Sequence, residues 1–313
     1  MKKPNVAIIG IGHLGSRHLK VYAEQMAEKI NLIGICDTHE ERTKKIAEQY
    51  KIPFFANYRE LKGKVDAVNI CVPTSSHFEV GQFFLKNNIH TFIEKPITMN
   101  VSEANKLIAL AKKNTLKLQV GHVERFNAAF EAIKNIAQNP LFIECHRLNQ
   151  FPHRSLDIGV VMDLMIHDID IILGLVKVPV KEIRAVGVNV LTALEDIANA
   201  RLTFQNGCVC NLTASRVSEE VTRKIRIFLP DTYISLDYVK QEAFVYKKTG
   251  AQITKTILPI EKEEPLKKEL TSFIDCVCGD REPLVSGIEG RDALKVALNI
   301  SQQIWKNFPK HSS

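Results

Sequence analysis

The sequence predicts two domains: an α/β domain on a doubly wound parallel sheet, and an α+β domain with a large open, mainly antiparallel sheet. Three observations predict this. A glycine-rich turn stands between an apolar strand and a helix near the amino terminus. Apolar runs of strand length then alternate with helix-length stretches up to about residue 122, which requires parallel pairing with helical crossovers. From residue 181 the apolar period becomes two with no helix intervening, as in an antiparallel meander. The 313 residues suit two domains, expected as 1–122 and 123–313.

Residues 6–9 form a fully apolar strand that runs into Gly10-Ile-Gly12-His13-Leu14-Gly15, and residues 16–29 have helical spacing. This is the opening of a Rossmann domain. Gly10 permits the tight turn, Gly12 lets a pyrophosphate approach the backbone, Gly15 lets helix and strand pack, and the helix amino terminus faces the phosphates. Residues 31–36 are a second strand closing on Asp37, whose carboxylate can bind both adenosine ribose hydroxyls and would repel a 2′-phosphate. NAD is therefore favoured over NADP, with Arg42 near enough in sequence to stack on adenine or tolerate the phosphate.

Residues 40–50 read as a helix, 64–71 as a strand, and 72–77 as a loop whose Pro73, Thr74 and His77 would flank the cofactor. Helix 78–87, strand 89–93, helix 102–113 and strand 116–120 complete the pattern. The strand at 89–93 delivers Glu94 and Lys95 straight into Pro96, so an ionisable pair stands where parallel sheets hold their ligands.

In the second domain residues 126–138 read as a helix and 141–146 as a strand, and Asp157 is a plausible N-cap for a long apolar helix ending at Gly174. Along that helix Asp163, His167 and Asp170 fall at i, i+4 and i+7 and form one polar stripe. The stripe is either a satisfied internal network or an imidazole oriented by carboxylates and aimed into a cleft. Strands follow at 183–190, 196–204, 208–214, 224–229 and 233–238, with Asn206-Gly207 as a hairpin signal. One sheet face should cover the long helix. The other is expected to be rich in Val, Ile, Leu and Phe and to join copies into a homodimer or homotetramer. Residues 264–278 and 288–308 read as helices, and the tail at 310–313 is expected to fray.

Composition narrows the function class. Hydrophobic residues make up 45% and charged residues 25%, so the chain can bury an ordinary core. The net charge of +7 is spread along the chain, which argues against nucleic acid as a partner and allows only a mild steering of anionic ligands. Seven cysteines, odd in number and without a Cys-x-x-Cys pair, read as reduced core thiols rather than a disulfide framework or a metal site. The amino terminus has no secretory pattern. The longest apolar stretch, 158–176, carries Asp163, His167, Asp168 and Asp170 and so reads as a buried helix, not a membrane span. A cytoplasmic protein without a membrane partner is expected.

Four features together resemble the Gfo/Idh/MocA oxidoreductases over nearly the whole chain. They are the Gly10–Gly15 turn, Val72-Pro73-Thr74 with His77, Glu94-Lys95-Pro96, and Asp163-Leu-Met-Ile-His167 with Asp170. The resemblance implies that family's two-domain architecture, NAD or NADP as cofactor, small-molecule substrates that are mostly sugars, a catalytic Lys95, and a carboxyl-terminal segment that folds back onto the first domain. The segment Gly121-His-Val-Glu124-Arg125-Phe-Asn127 is similar to that of the family's sugar-nucleotide branch, whose members oxidise the 3-hydroxyl of UDP-N-acetylglucosamine in lipid A assembly. Here Ala128 stands where that branch commonly has proline.

Glu124, Arg125, Asn127 and Asp170 are the substrate-binding candidates, with an interdomain salt bridge as the other reading of Arg125. Arg147, His153 and Arg154 could equally serve a substrate diphosphate.

Oxidising a secondary alcohol removes the hydroxyl proton while hydride leaves carbon for the nicotinamide, so the protein must supply a base and a geometry. Lys95 is the expected base or hydrogen-bond relay, with its amine held neutral by burial or a nearby cation. His167 shares the proton, Asp163 fixes its tautomer or holds the substrate, and Glu94 belongs with the cofactor-binding residues. The competing readings are an oxidoreductase of the same fold acting on inositol or a non-sugar ketone, and a non-enzymatic NAD-binding protein. An S-adenosylmethionine methyltransferase would leave Glu94-Lys95-Pro96 unexplained.

Overall fold

The computed structural model describes residues 3–151, 158–279 and 281–306. The chain divides into two compact units, residues 1–123 with 264–291 and residues 124–263 with 292–313. Four sequence expectations lie outside the described residues: Asp157 as a helix cap, His153 and Arg154 as candidate cations, the helix end at 307–308, and the tail.

The first unit begins β1 (Asn5–Ile9), α1 (His13–Gln25), β2 (Asn31–Cys36), α2 (Glu40–Tyr50) and the two-residue β3 (Phe54–Phe55). It continues β4 (Ala67–Ile70), α3 (Thr74–Lys86), β5 (His90–Glu94), α4 (Val101–Lys113) and β6 (Leu118–Gly121). All strand pairs are parallel, in the order β3-β2-β1-β4-β5-β6. Helices cover both faces of such a sheet, which is why β4 and β6 are buried at every residue. Strand order reverses between β1 and β4, so their carboxyl ends flank the crevice where a doubly wound sheet takes its ligand.

Several boundaries in this unit differ from the sequence expectation, two of them for a clear local reason. The strand expected at 64–71 keeps only Ala67–Ile70, because Lys64 is still in a turn, its amide donating to Leu61 O at 3.0 Å. The expected loop at 72–77 is mostly helix: Pro73 at φ −56° caps α3, and the Ser76 amide already donates to Pro73 O at 2.9 Å. Proline's fixed φ suits the start of a helix, so Thr74 and His77 belong to its first turn.

The second unit contains α5 (Ala128–Ile133), β7 (Phe142–Leu148), α6 (Ile166–Val176), β8 (Val180–Val188), β9 (Ile197–Phe204) and β10 (Val209–Ser215). It then runs through β11 (Thr222–Phe228), β12 (Thr232–Asp237), β13 (Glu242–Thr249) and β14 (Gln252–Ile257). The sheet order is β14-β13-β12-β11-β7-β10-β9-β8. β7 and β10 pair in parallel, and the other neighbours are antiparallel.

The helix expected at 126–138 is shorter because Asn127 interrupts it, its side chain accepting the Ala129 amide as the cap of α5. The long apolar helix is not uniform: a π-helical turn over Val161–Met165 precedes α6. The hairpin of β13 and β14, turning at Gly250 with φ 64°, escaped the sequence reading.

Val161, Met165, Ile166, Ile169 and Ile172 share one buried core with Ile143, Leu202, Leu212, Ile225 and Ile234 of the sheet. The opposite sheet face is mixed. Period-two alternation sends most Val, Ile and Leu side chains inward, and the far face carries polar pairs beside exposed Val186, Val188, Ile253 and Ile257. Asn199 donates to Thr213 at 2.9 Å, Arg201 to Asn211 at 3.1 Å and Arg226 to Glu144 at 3.0 Å. A row of rings also crosses it, Phe142, Phe228, Tyr233 and Tyr246, at centroid spacings of 5.5, 4.9 and 5.2 Å.

Two helices close the chain. α7 (Pro265–Cys278) lies in the first unit, with Leu270, Phe273 and Ile274 in the same core as Ile8 and Leu19. α8 (Gly287–Lys306) belongs to the first unit up to Arg291 and to the second from Asp292 onward. Among the described residues no helix is long and apolar enough to cross a membrane.

Asp196 organises the loop after β8. It is fully buried, and Oδ2 accepts the amides of Val190, Leu191 and Thr192 at 2.7, 2.6 and 2.9 Å. Oδ1 takes the Thr192 hydroxyl at 2.8 Å and Arg216 Nε at 2.7 Å. Burial opposes the charge, yet these donors hold the carboxyl well below the usual range. A group with a depressed folded pKa adds stability above its unfolded value, about 3.9 for aspartate, and loses it as pH falls through the folded one. Asp196→Asn is therefore expected to flatten the decline of melting temperature below about pH 4. An unchanged acid limb would contradict this role.

Candidate active site

At the carboxyl end of β1 the chain turns at Gly10, whose φ of 88° is left-handed. A Cβ on Gly15 would fall 1.8 Å from Gly10 O, so only glycine lets α1 begin against the turn. Gly12 is different: a Cβ there would meet nothing within 4 Å, leaving space over the α1 amino terminus where phosphates can approach the backbone. His13 and Leu14 open α1 and are exposed.

Asp37 follows β2 and faces this loop. Its Oδ2 accepts the Ile11 amide at 2.6 Å and lies 3.3 Å from Arg42 Nη2, while Oδ1 accepts the His39 amide at 2.9 Å. Partial burial raises its pKa, but the two amides and Arg42 outweigh this and hold it below the usual value. An ionised carboxylate with spare lone pairs beside the glycine turn is the acceptor that a ribose diol needs. Together the open Gly12, the helix terminus and Asp37 fit a dinucleotide.

β5 ends in Glu94, and the Lys95–Pro96 peptide that follows is cis. Lys95 is half-buried. Glu94 is 7% exposed, its Oε2 accepting the Lys95 amide at 3.2 Å and its Oε1 lying 2.9 Å from His18 Nε2. Burial favours the neutral acid, but the His18 hydrogen bond, the Lys95 charge and the Lys95 amide win and keep the pKa low. The carboxylate lies against Gly121, where an added Cβ would come within 2.9 Å of Oε2.

His77 is 1% exposed and ties α3 to this strand end, with Nδ1 2.8 Å from Pro96 O and Nε2 2.9 Å from Val72 O. Burial lowers its pKa despite both carbonyls. Thr74 is half-buried and Pro73 exposed at the start of α3.

The second unit holds the remaining candidates. Asp163 lies in the π-turn and His167 in the first turn of α6, both half-buried. Asp170, one stripe member, pairs with Arg125: Nε donates to Oδ2 at 2.6 Å and Nη2 to Oδ1 at 3.1 Å. Arg125 packs over Gly174, where a Cβ would fall 2.0 Å from Nη1. The salt bridge of Arg125 is thus within its own unit. Glu124 accepts Arg147 Nη1 at 2.8 Å, and Asn127 donates to Tyr238 O at 3.1 Å.

Arg147 is 2% exposed and doubly bound to Asp168, at 2.9 and 2.8 Å, as well as to Glu124. It is therefore closed to a substrate diphosphate, which corrects that expectation. Two residues escaped the sequence reading. Asp168 falls off the i, i+4, i+7 stripe, and its importance shows only through Arg147; His18 is one helical turn beyond Gly15, and nothing local marks its contact with Glu94. Among the described residues no cluster suited to a metal ion is present.

Residues 4–122 match the GFO/IDH/MocA oxidoreductase family with NAD-binding Rossmann fold, and residues 119–232 match the GFO/IDH/MocA C-terminal domain. The chain is 35% identical to the UDP-N-acetylglucosamine 3-dehydrogenase of Acidithiobacillus ferrooxidans, over 94% of this chain and 95% of that one. A crystal structure of that enzyme superposes with a TM-score of 0.92, covering 97% of this chain and 98% of the other. The myo-inositol 2-dehydrogenase of Thermotoga maritima is 26% identical over 92% of both chains.

Proposed function

The chain belongs to the Gfo/Idh/MocA family of oxidoreductases, a dehydrogenase of CH–OH groups with an NAD-binding Rossmann domain, and we propose that it oxidises the 3-hydroxyl of UDP-N-acetylglucosamine. The observation that carries the catalytic part is the position of Glu94 and Lys95. They leave the carboxyl end of β5 in the same sheet as the glycine turn and Asp37. The substrate part is supported by the 35% identity to a UDP-N-acetylglucosamine 3-dehydrogenase along 94% of the chain.

When bound, NAD supplies a hydride acceptor. The chain's own residues must then hold the cofactor and handle one proton. Gly10, Gly12, His13, Leu14 and Gly15 hold the phosphates, and Asp37 with Arg42 holds the adenosine ribose in a form that disfavours a 2′-phosphate. Pro73, Thr74, His77 and Glu94 frame the nicotinamide end. Lys95 takes the hydroxyl proton or relays it, His167 shares it, and Asp163 fixes the His167 tautomer or holds the substrate.

Glu124, Arg125, Asn127 and Asp170 shape the substrate-binding part. Their pairing with one another and with Arg147 and Tyr238 gives them a framing role rather than that of free ligands.

The test is a substrate screen. UDP-sugars, free sugars and inositols are each mixed with NAD and protein, and NADH absorbance is followed. UDP-N-acetylglucosamine is expected to give the largest kcat/KM. Inositol is the second reading, favoured by the 26% identity to a myo-inositol 2-dehydrogenase, and a larger kcat/KM for it would replace the first. In this reading copies associate through the ring-bearing sheet face, and a monomeric mass in solution would rule that out.

A further inference from the structure

Behind the Glu94–Lys95 strand end lies a chain of buried polar side chains that cofactor binding does not require. Tyr22, His18 and Asn69 are each fully buried. The Tyr22 hydroxyl donates to Asn69 Oδ1 at 2.9 Å, and Asn69 Nδ2 lies 3.0 Å from His18 Nδ1. His18 Nε2 lies 2.9 Å from Glu94 Oε1. Burial pushes the Tyr22 phenol far up, so it stays a donor.

Directions along this chain follow from one another. A phenol facing an amide oxygen must donate, which turns the Asn69 NH2 toward His18. Nδ1 must then accept, so the ring proton sits on Nε2 and points at Glu94. The carboxylate in turn accepts the Lys95 amide with its other oxygen. Three buried side chains thus end by fixing the peptide unit that carries Lys95.

We propose that His18, oriented by Asn69 and Tyr22, is a positioning residue for Lys95. It clamps the Glu94 carboxylate against Gly121 and thereby sets the backbone from which the lysine side chain leaves the sheet. The inference rests on the reading of Lys95 as catalytic.

Among the described residues His18 alone holds Oε1 directly, and Gly121 leaves the carboxylate a slot with no Cβ to brace it. Without the His18 donor, the carboxylate keeps one partner in a site only 7% open to solvent and has reason to turn. The ionisable groups facing Glu94 are His18 from α1, Lys95 beside it, Cys71 beyond β4 and His77 of α3.

The experiment uses the full chain with His18→Leu, His18→Gln, Tyr22→Phe and Lys95→Met. A misplaced catalytic group costs about 10²-fold, so His18→Leu is expected to lower kcat by that factor while the NAD dissociation constant moves less than about threefold. Glutamine can place an N–H near the imidazole Nε2 position, so His18→Gln is expected to recover all but about tenfold. Tyr22→Phe loosens only the far end and should lower kcat about two- to tenfold, the worth of one hydrogen bond; it serves should His18→Leu not fold. The acid limb of the kcat–pH profile should move to higher pH in His18→Leu, because Glu94 loses the partner that keeps it ionised.

A second readout needs no turnover. Acylation of Lys95 by an amine-directed reagent, followed by mass spectrometry in the NAD-free protein, should change rate in His18→Leu while exposed Lys112 does not. A kcat near wild type in both His18→Leu and Tyr22→Phe, with Lys95→Met inactive, overturns the proposal. If Lys95→Met itself turns over normally, the catalytic reading of Lys95 fails instead. The acylation rates then decide whether His18 positions it, and unchanged rates overturn that too.

Discussion

Replacing Lys95 with methionine is expected to reduce turnover by about 10²- to 10⁴-fold, the usual worth of a general acid or base, while NAD binding stays near wild type. The separation follows from where the parts lie. In the proposed reading phosphate and ribose are handled at the ends of β1 and β2, by the glycine turn and Asp37, whereas Lys95 leaves the end of β5. Methionine keeps the length of the lysine stem and removes only the amine, so the half-buried site stays filled. His167→Ala should lower turnover in the same range. The measurement is NADH formation at saturating substrate, paired with calorimetric titration of NAD. A Lys95→Met enzyme within threefold of wild type would remove the lysine from the chemistry.

The largest effect on stability is expected at Arg147. Its guanidinium holds two carboxylates, Asp168 with two bonds and Glu124 with one, and packs over the Tyr238 ring at 5.5 Å. Burial opposes the arginine charge, and the two carboxylates more than restore it. Asp168 is affected the other way: burial raises its pKa, and Arg147 only partly offsets this.

Arg147→Met would leave both acids buried without their cation, at a cost of about 3–5 kcal/mol, a large share of a typical total of about 5–15 kcal/mol. A buried acid whose folded pKa lies above its unfolded one is penalised most above the folded value and is relieved as pH falls. The variant's deficit should therefore shrink on acidification, through the range above the ordinary carboxylate pKa. Adding Asp168→Leu to Arg147→Met should recover part of the loss. Urea denaturation of the three proteins at neutral and mildly acid pH checks this, and a neutral-pH deficit below about 1 kcal/mol would contradict it.

The parts of the site that were legible in the sequence are those whose physics is local. The turn from Gly10 to Gly15 sits within six residues, and Asp37 follows the next strand directly, so spacing alone suggests the roles proposed for them. Lys95 is marked by the proline behind it. The contacts that complete the site connect distant parts of the chain: His18 reaches Glu94 across 76 positions, and Arg147 reaches Asp168 across 21. No window along the chain holds such a pair.

Other misses have different causes. Pro73 read as part of a loop because proline breaks helices from within, although it also starts them. The far sheet face was expected to be rich in Val, Ile, Leu and Phe; it does expose Val186, Val188, Ile253 and Ile257, but the polar pairs between its strands depend on register, which composition does not show. The β13–β14 hairpin carries three lysines and three threonines in its strands, so it lacked the apolar signal that marked the other strands.

The π-turn at Val161–Met165 has a consequence for chain length. A regular helix turns about 100° per residue, and a π-turn accommodates one residue more than the α-helical pattern around it. That surplus residue sets an angle rather than a contact. It fixes the azimuth at which Asp163 leaves the helix axis relative to His167, while Ile169, Ile171 and Ile172 hold α6 in the core behind it. Shortening the turn by one residue would swing Asp163 about 100° around the axis and leave the isoleucines where they are. The geometry of the Asp163–His167 pair is thus tuned by counting residues, a variable that no side-chain substitution can reproduce.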